Sequence, residues 1–110
     1  GYPVSYLIVF MTAPDREEAV KIVQTLLEER LIACGNIVDG VSSFFWWKDK
    51  IEEEKETLVI MKSDEKHFKK LSERVSELHS YEVPEVLAVP VADGLPPYLD
   101  WLKDCLEQVE

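Results

Sequence analysis

Two cysteines, Cys34 and Cys105, are too few and too far apart to form a disulfide framework, so both are read as free thiols of a reducing compartment. There is no CxxC or HxxxH pair, which means any metal site must be assembled from separate segments by folding or by neighbouring subunits. No apolar run approaches the roughly 18 to 20 residues of a membrane span. Gly1-Tyr2-Pro3-Val4-Ser5 has no basic-then-apolar leader pattern. The expectation is a soluble, cytoplasmic protein with no membrane contact. Basic residues are also scarce, 12 against 22 acidic, and the formal charge of -10 repels phosphate backbones and anionic membranes. That excludes nucleic acid as a partner. No oxyanion glycine pattern, orienting triad or cofactor fingerprint is present, so the chain is read as a non-enzyme without an obligatory cofactor.

What is present fits a single domain over residues 1–110, with 46% apolar content to supply one core. Tyr6 to Met11 is a continuous apolar run, the pattern of a central strand covered on both faces. Asp15 and Glu18 form a capping box, and Ala19, Ile22, Val23, Leu26 and Leu27 then repeat at helical spacing until the helix ends near Arg30. Cys34–Val38 and Val41–Trp47 read as one long strand bent at Asp39-Gly40. Lys48-Asp49-Lys50 turns the chain into a second long strand, Ile51–Lys62. Ser63 is placed to cap a helix whose buried stripe is Phe68, Leu71, Val75 and Leu78. Beyond Pro84, Val86–Val91 makes a fourth strand, which Pro90 pushes to a sheet edge because it cannot donate a ladder hydrogen bond. A last helix follows Pro96-Pro97, with Tyr98, Trp101, Leu102, Cys105, Leu106 and Val109 on its apolar stripe. The order β-α-β-β-α-β plus a C-terminal helix predicts an α+β fold, the ferredoxin-like split βαβ sandwich with an antiparallel sheet and strands 1 and 3 in the middle.

Phe44-Phe45-Trp46-Trp47 stands out against this pattern. Neighbouring side chains on a strand face opposite ways, so Trp46 and Trp47 cannot both enter one core. A large aromatic buries about 150 to 250 Å², and an exposed aromatic edge strand invites pairing with another chain. A homo-oligomer that uses this strand as its interface is the economical solution.

Four segments, Arg30–Asn36, Trp46–Glu52, His79–Glu85 and Pro97–Leu102, together resemble the CutA divalent-cation tolerance proteins, and the resemblance extends over roughly Leu7 to Leu106. It implies a homotrimer joined through the hairpin bearing Trp46 and Trp47, with a cleft between subunits and a role in binding or responding to divalent ions of the Cu or Zn type. The family's trimer is similar to that of the PII signalling proteins. The alternative it carries is therefore a trimeric signalling or scaffold protein that binds a small anion or a protein partner in the cleft. Where the family's pattern has proline this chain has Ser80, which implies a looser loop around His79 and Glu82.

Cys34, His79 and Glu82 offer one soft, one intermediate and one hard metal ligand, and Lys62 and Tyr81 are the candidate cleft residues. Each also has a plain structural reading. Cys34 can serve as a small apolar residue, and His79 as a charge against a helix C-terminus. Tyr81 and Glu82 can satisfy loop backbone groups, while Lys62 is an ordinary strand end that would favour an anion over a metal. The run Glu52-Glu53-Glu54-Lys55-Glu56 reads as solvated hairpin surface, because alternating carboxylates on a strand do not converge.

Overall fold

The structure, a computed structural model, describes residues 5–107. It contains β1 (Tyr6–Ala13), α1 (Arg16–Glu28), β2 (Cys34–Trp47), β3 (Lys50–Asp64), α2 (Glu65–Leu78), β4 (Val86–Pro90) and α3 (Pro96–Glu107). The strands form one sheet in the order β2-β3-β1-β4, with every neighbouring pair antiparallel. This is the predicted topology, and Pro90 lies at the end of an edge strand opposite Leu7.

Both crossover helices pack on the same face. Leu7, Val9, Met11 and Ala13 of β1 and Val59 and Met61 of β3 meet Ala19, Ile22, Val23 and Leu26 of α1 and Leu71 and Val75 of α2 in one buried cluster. β1 therefore does not have both faces covered as its apolar run predicts. Its burial alternates, and Tyr6, Ile8, Phe10 and Thr12 on the second face are only half-buried. At one end of that face Leu102 and Leu106 of α3 close over Ala33 with Tyr6, Leu99 and Cys105 alongside. The buried stripe of α3 is thus rotated from the predicted one: Tyr98 and Trp101 flank it, 42% and 44% exposed. Val109 lies outside the described residues.

Two glycines set the path of β2. At Gly35 a Cβ would stand 2.8 Å from Cγ1 of Val23, so α1 can lie this close only over a residue without a side chain. Gly40, at φ +70, sits where the β2–β3 register shifts between Val38 and Val41, the predicted bend. Asp64 rather than Ser63 caps α2. Its carboxylate accepts the His67 N–H at 3.0 Å, while Ser63 is buried in β3 and donates its hydroxyl to the Leu31 carbonyl at 2.7 Å. The strand therefore runs one residue further than Ser63 as a cap would allow. Similarly, α1 stops at Glu28 and Arg30 takes a left-handed conformation at φ 59, and β4 ends at Pro90 rather than Val91.

β1 ends opposite Thr57, whereas β2 and β3 remain paired from Val41↔Glu56 out to Trp47↔Lys50. The hairpin thus projects beyond the sheet by seven residue pairs, about 23 Å at the usual strand rise, and stretches the described residues to 48 × 29 × 22 Å. Trp46 and Trp47 point to opposite faces as expected, and neither is covered by the described residues: they are 72% and 60% exposed.

Candidate functional site

The helix-loop segment after α2 is built around His79. As the C-cap of α2 it donates its own N–H to Val75 at 2.9 Å, and its side chain is fully buried. Nε2 lies 2.7 Å from the Thr12 carbonyl oxygen, which can only accept, so Nε2 carries the proton. Nδ1 then accepts the Tyr81 N–H at 3.0 Å. Both ring nitrogens are thereby committed, and His79 offers no free lone pair to a metal. Its work in the chain is to bind the loop to β1. Glu18 completes the tie, with a carboxylate oxygen 3.3 Å from Nδ1 that accepts the Ser80 N–H at 2.8 Å.

The Glu18 bond reverses the expectation for Ser80. A proline there has no N–H to give, so this chain gains an attachment at the position where looseness was predicted. It also corrects the reading of Glu18 as half of a capping box. Asp15 does accept the Glu18 N–H at 2.9 Å, but the Glu18 carboxylate turns to the distant loop.

Tyr81 packs its ring 4.7 Å from that of His79 and donates its hydroxyl to a Glu56 carboxylate oxygen at 2.7 Å. Burial, followed by the Glu56 carboxylate, pushes the phenol pKa well above the ordinary tyrosine value. The loop and the base of the hairpin enclose an open groove of about 890 Å³, lined by Glu54, Glu56, Glu82 and Glu85 among Phe44, Phe45, Trp47 and Val83. Glu54 and Glu56 line the same groove as Glu82, because strand residues two apart share a face and the loop crosses that face. Reading the run Glu52–Glu56 as wholly solvated therefore missed two groove residues.

Cys34 and Lys62 form a second cluster. They are cross-strand partners at the other end of the sheet; the Lys62 ammonium lies 3.8 Å from the thiol sulfur and also donates to the Asn36 side-chain oxygen. Tyr98 of α3 lies nearby, its pKa raised by burial first and then by Cys34 and Cys105. Cys34 and Lys62 align with Ile8 in the sheet, whereas His79 holds Thr12. Four residues of β1 separate the two levels, about 13 Å at the usual rise. A single chain therefore brings His79, Tyr81 and Glu82 together, and Cys34 and Lys62 together, but not Cys34 with His79 and Glu82. Among the described residues no group of three or more His, Cys, Asp or Glu side chains is arranged to hold a metal ion.

Residues 7–105 match the family model described as CutA1 divalent ion tolerance protein. The chain belongs to this family. It is 48% identical over 96 residues to the divalent-cation tolerance protein CutA of Pyrococcus horikoshii, an alignment that covers 87% of this chain and 93% of that one. Its structure is similar to that of CutA1 from Oryza sativa, with a TM-score of 0.92 at 37% identity over 96% of this chain and 97% of the other. It is also similar to the periplasmic divalent cation tolerance protein CutA of Archaeoglobus fulgidus, with a TM-score of 0.90 at 39% identity over 93% and 99%. The family pattern thus extends over both clusters and the projecting hairpin. No helix among the described residues is long and apolar enough to cross a membrane.

Proposed function

We propose that this protein serves divalent-cation tolerance by binding ions of the Cu or Zn type, as a cytoplasmic homotrimer and without catalysing a reaction. The observation that carries the reading is membership of the tolerance family over residues 7–105, together with a groove lined by four glutamates. Cys34 and Cys105 as free thiols support a reducing compartment. The exposed Trp46 and Trp47 support assembly through the hairpin. Because the two clusters stand apart in one chain, the ligands divide between them. Glu82 supplies hard oxygen in the groove and Cys34 supplies soft sulfur at the far end, and a site containing both needs two subunits. His79, proposed from its residue type as a ligand, acts through position by holding Tyr81 and Glu82.

Equilibrium dialysis of the parent against Zn and Cu(I) tests this. Cys34→Ser should lower Cu(I) affinity about tenfold or more while sparing a hard ion such as Mg, and Glu82→Gln should weaken Zn. Unchanged binding in the Cys34→Ser, Glu82→Gln double variant would overturn the assignment. A second reading draws on Lys62, whose ammonium is met by a thiol and an amide oxygen rather than a carboxylate. This arrangement suits a small anion in a trimeric signalling or scaffold protein similar to PII.

A further inference from the structure

The groove between the hairpin base and the loop after α2 is lined by Glu54, Glu56, Glu82 and Glu85 and by no lysine or arginine. Among the described residues none of these glutamates belongs to an ion pair. Lys55, between Glu54 and Glu56 in sequence, points to the opposite face of the ribbon, where it donates to the Ser42 hydroxyl oxygen at 3.1 Å. The Glu56 carboxylate accepts the Tyr81 hydroxyl, which is neutral and offsets no charge. The groove thus holds negative charge that the described residues leave uncompensated.

A divalent ion needs ligands that converge on one point, and no three His, Cys, Asp or Glu side chains among the described residues do so. Glu54 and Glu56 start about 7 Å apart along one strand face, while Glu82 and Glu85 stand on the loop that crosses it. The charge is strung along the groove rather than focused. Beside the carboxylates the lining is apolar, with Phe44, Phe45, Trp47 and Val83 all solvent-exposed. At about 890 Å³ the groove has the size of a small-molecule site. Its complement is a flexible chain in which cationic groups alternate with methylenes: ammonium groups meet carboxylates and aromatic faces, and the methylenes cover the rings.

We propose that this groove binds a linear aliphatic polyamine, with Glu54, Glu82 and Glu85 meeting its ammonium groups and Phe45, Trp47 and Val83 covering the methylenes between them. Glu56 stays with Tyr81 and holds the wall of the groove. Of these residues only Glu82 is shared with the Cu and Zn ligands assigned above, so the two readings fail separately.

Isothermal titration calorimetry of the full chain with spermidine, at about 0.15 M salt so that diffuse attraction is screened, tests this. Hexaamminecobalt(III) carries the same triple charge as spermidine in a compact ion without methylenes, and should bind about tenfold more weakly or worse. Glu54→Gln/Glu85→Gln should weaken spermidine by about tenfold or more. Glu28→Gln/Glu73→Gln, which removes the same charge from exposed positions of α1 and α2, should leave it unaltered. Far-UV circular dichroism confirms that each variant is folded. Equal affinity for the two trivalent cations, or an equal loss in the Glu28/Glu73 variant, would show cations condensing on an acidic surface and overturn the site. Spermidine binding that does not saturate would overturn it as well, and would leave Zn and Cu(I) dialysis to decide the metal reading on its own.

Discussion

One sheet has two ends that behave as different kinds of matter. Where β1 and β3 run under α1 and α2, Val9, Met11, Val59 and Met61 have no exposed surface at all. Past Thr57 the same β3 continues with β2 as a bare two-stranded ribbon whose aromatic residues face solvent on both sides. An isolated hairpin is marginally stable in water at best, so the ribbon borrows stability from its helix-backed root and from whatever covers its tryptophans. The first end is specified by the chain's own packing. The second is left uncovered by the described residues.

The sharpest way to break the comparison is to damage each end in turn. Trp46→Ala/Trp47→Ala removes two large contact residues, each of the kind that costs about 2 kcal/mol or more at an interface. It should abolish assembly at micromolar concentration while far-UV circular dichroism retains its helical signal. Met61→Ala, a cavity in the closed end, should instead lower unfolding stability by about 2 to 5 kcal/mol in urea. If the tryptophan variant loses its helices at the same concentration at which it dissociates, folding and assembly are one transition and the two ends are not separable.

A smaller effect is expected where the loop joins the two ends. Ser80→Pro deletes the N–H donated to Glu18, a bond to a charged acceptor worth roughly 1.5 to 3 kcal/mol, and recovers about 0.4 to 1 kcal/mol through a stiffer unfolded chain. A net loss near 1 kcal/mol in urea unfolding should result. A gain would mean that the Glu18 tie is worth less than the freedom it removes.

The smallest effect appears only in alkali. The folded-state pKa of Tyr81 is raised, by burial and then by Glu56, so the stabilisation of its protonated form is complete below the unfolded tyrosine pKa of about 10 and is lost as pH rises above it. Thermal unfolding of the parent should weaken above that point more steeply than that of Tyr81→Phe. Parallel curves for the two proteins would show that the phenol is free of this linkage.

How far the sequence revealed all this follows the same division. Periodicity marked every element of the closed end, and Pro90 placed the edge strand, because both are local signals read within a few residues. Local signals also placed Trp46 and Trp47 on opposite faces. They could not show that α1 and α2 share one face, so the run Tyr6–Met11 passed for a doubly covered strand. Nor could they show which side of α3 faces inward, since Tyr98 and Trp101 complete an apolar stripe with Leu102 and Leu106 as well as Leu99 does. The groove was the least legible part. Glu18 meets Ser80 across 62 residues and Glu56 meets Tyr81 across 25; the local pattern marked Glu18 only as a helix cap and Glu56 only as a solvated strand residue. His79 was legible as a residue of consequence, but the two bonds that occupy its ring were not.

Gly35 gives the architecture a tolerance that can be stated as a length. The missing Cβ at that position lets Val23 approach until only 2.8 Å would remain for it, and α1, which carries Val23, also carries Glu18. The depth at which this helix beds onto β2 therefore sets where the Glu18 carboxylate meets the loop that walls the groove. A single methyl group beneath the helix acts like a shim under one arm of a lever: α1 lifts, and the far arm shifts the Ser80 anchor and the groove's mouth with it.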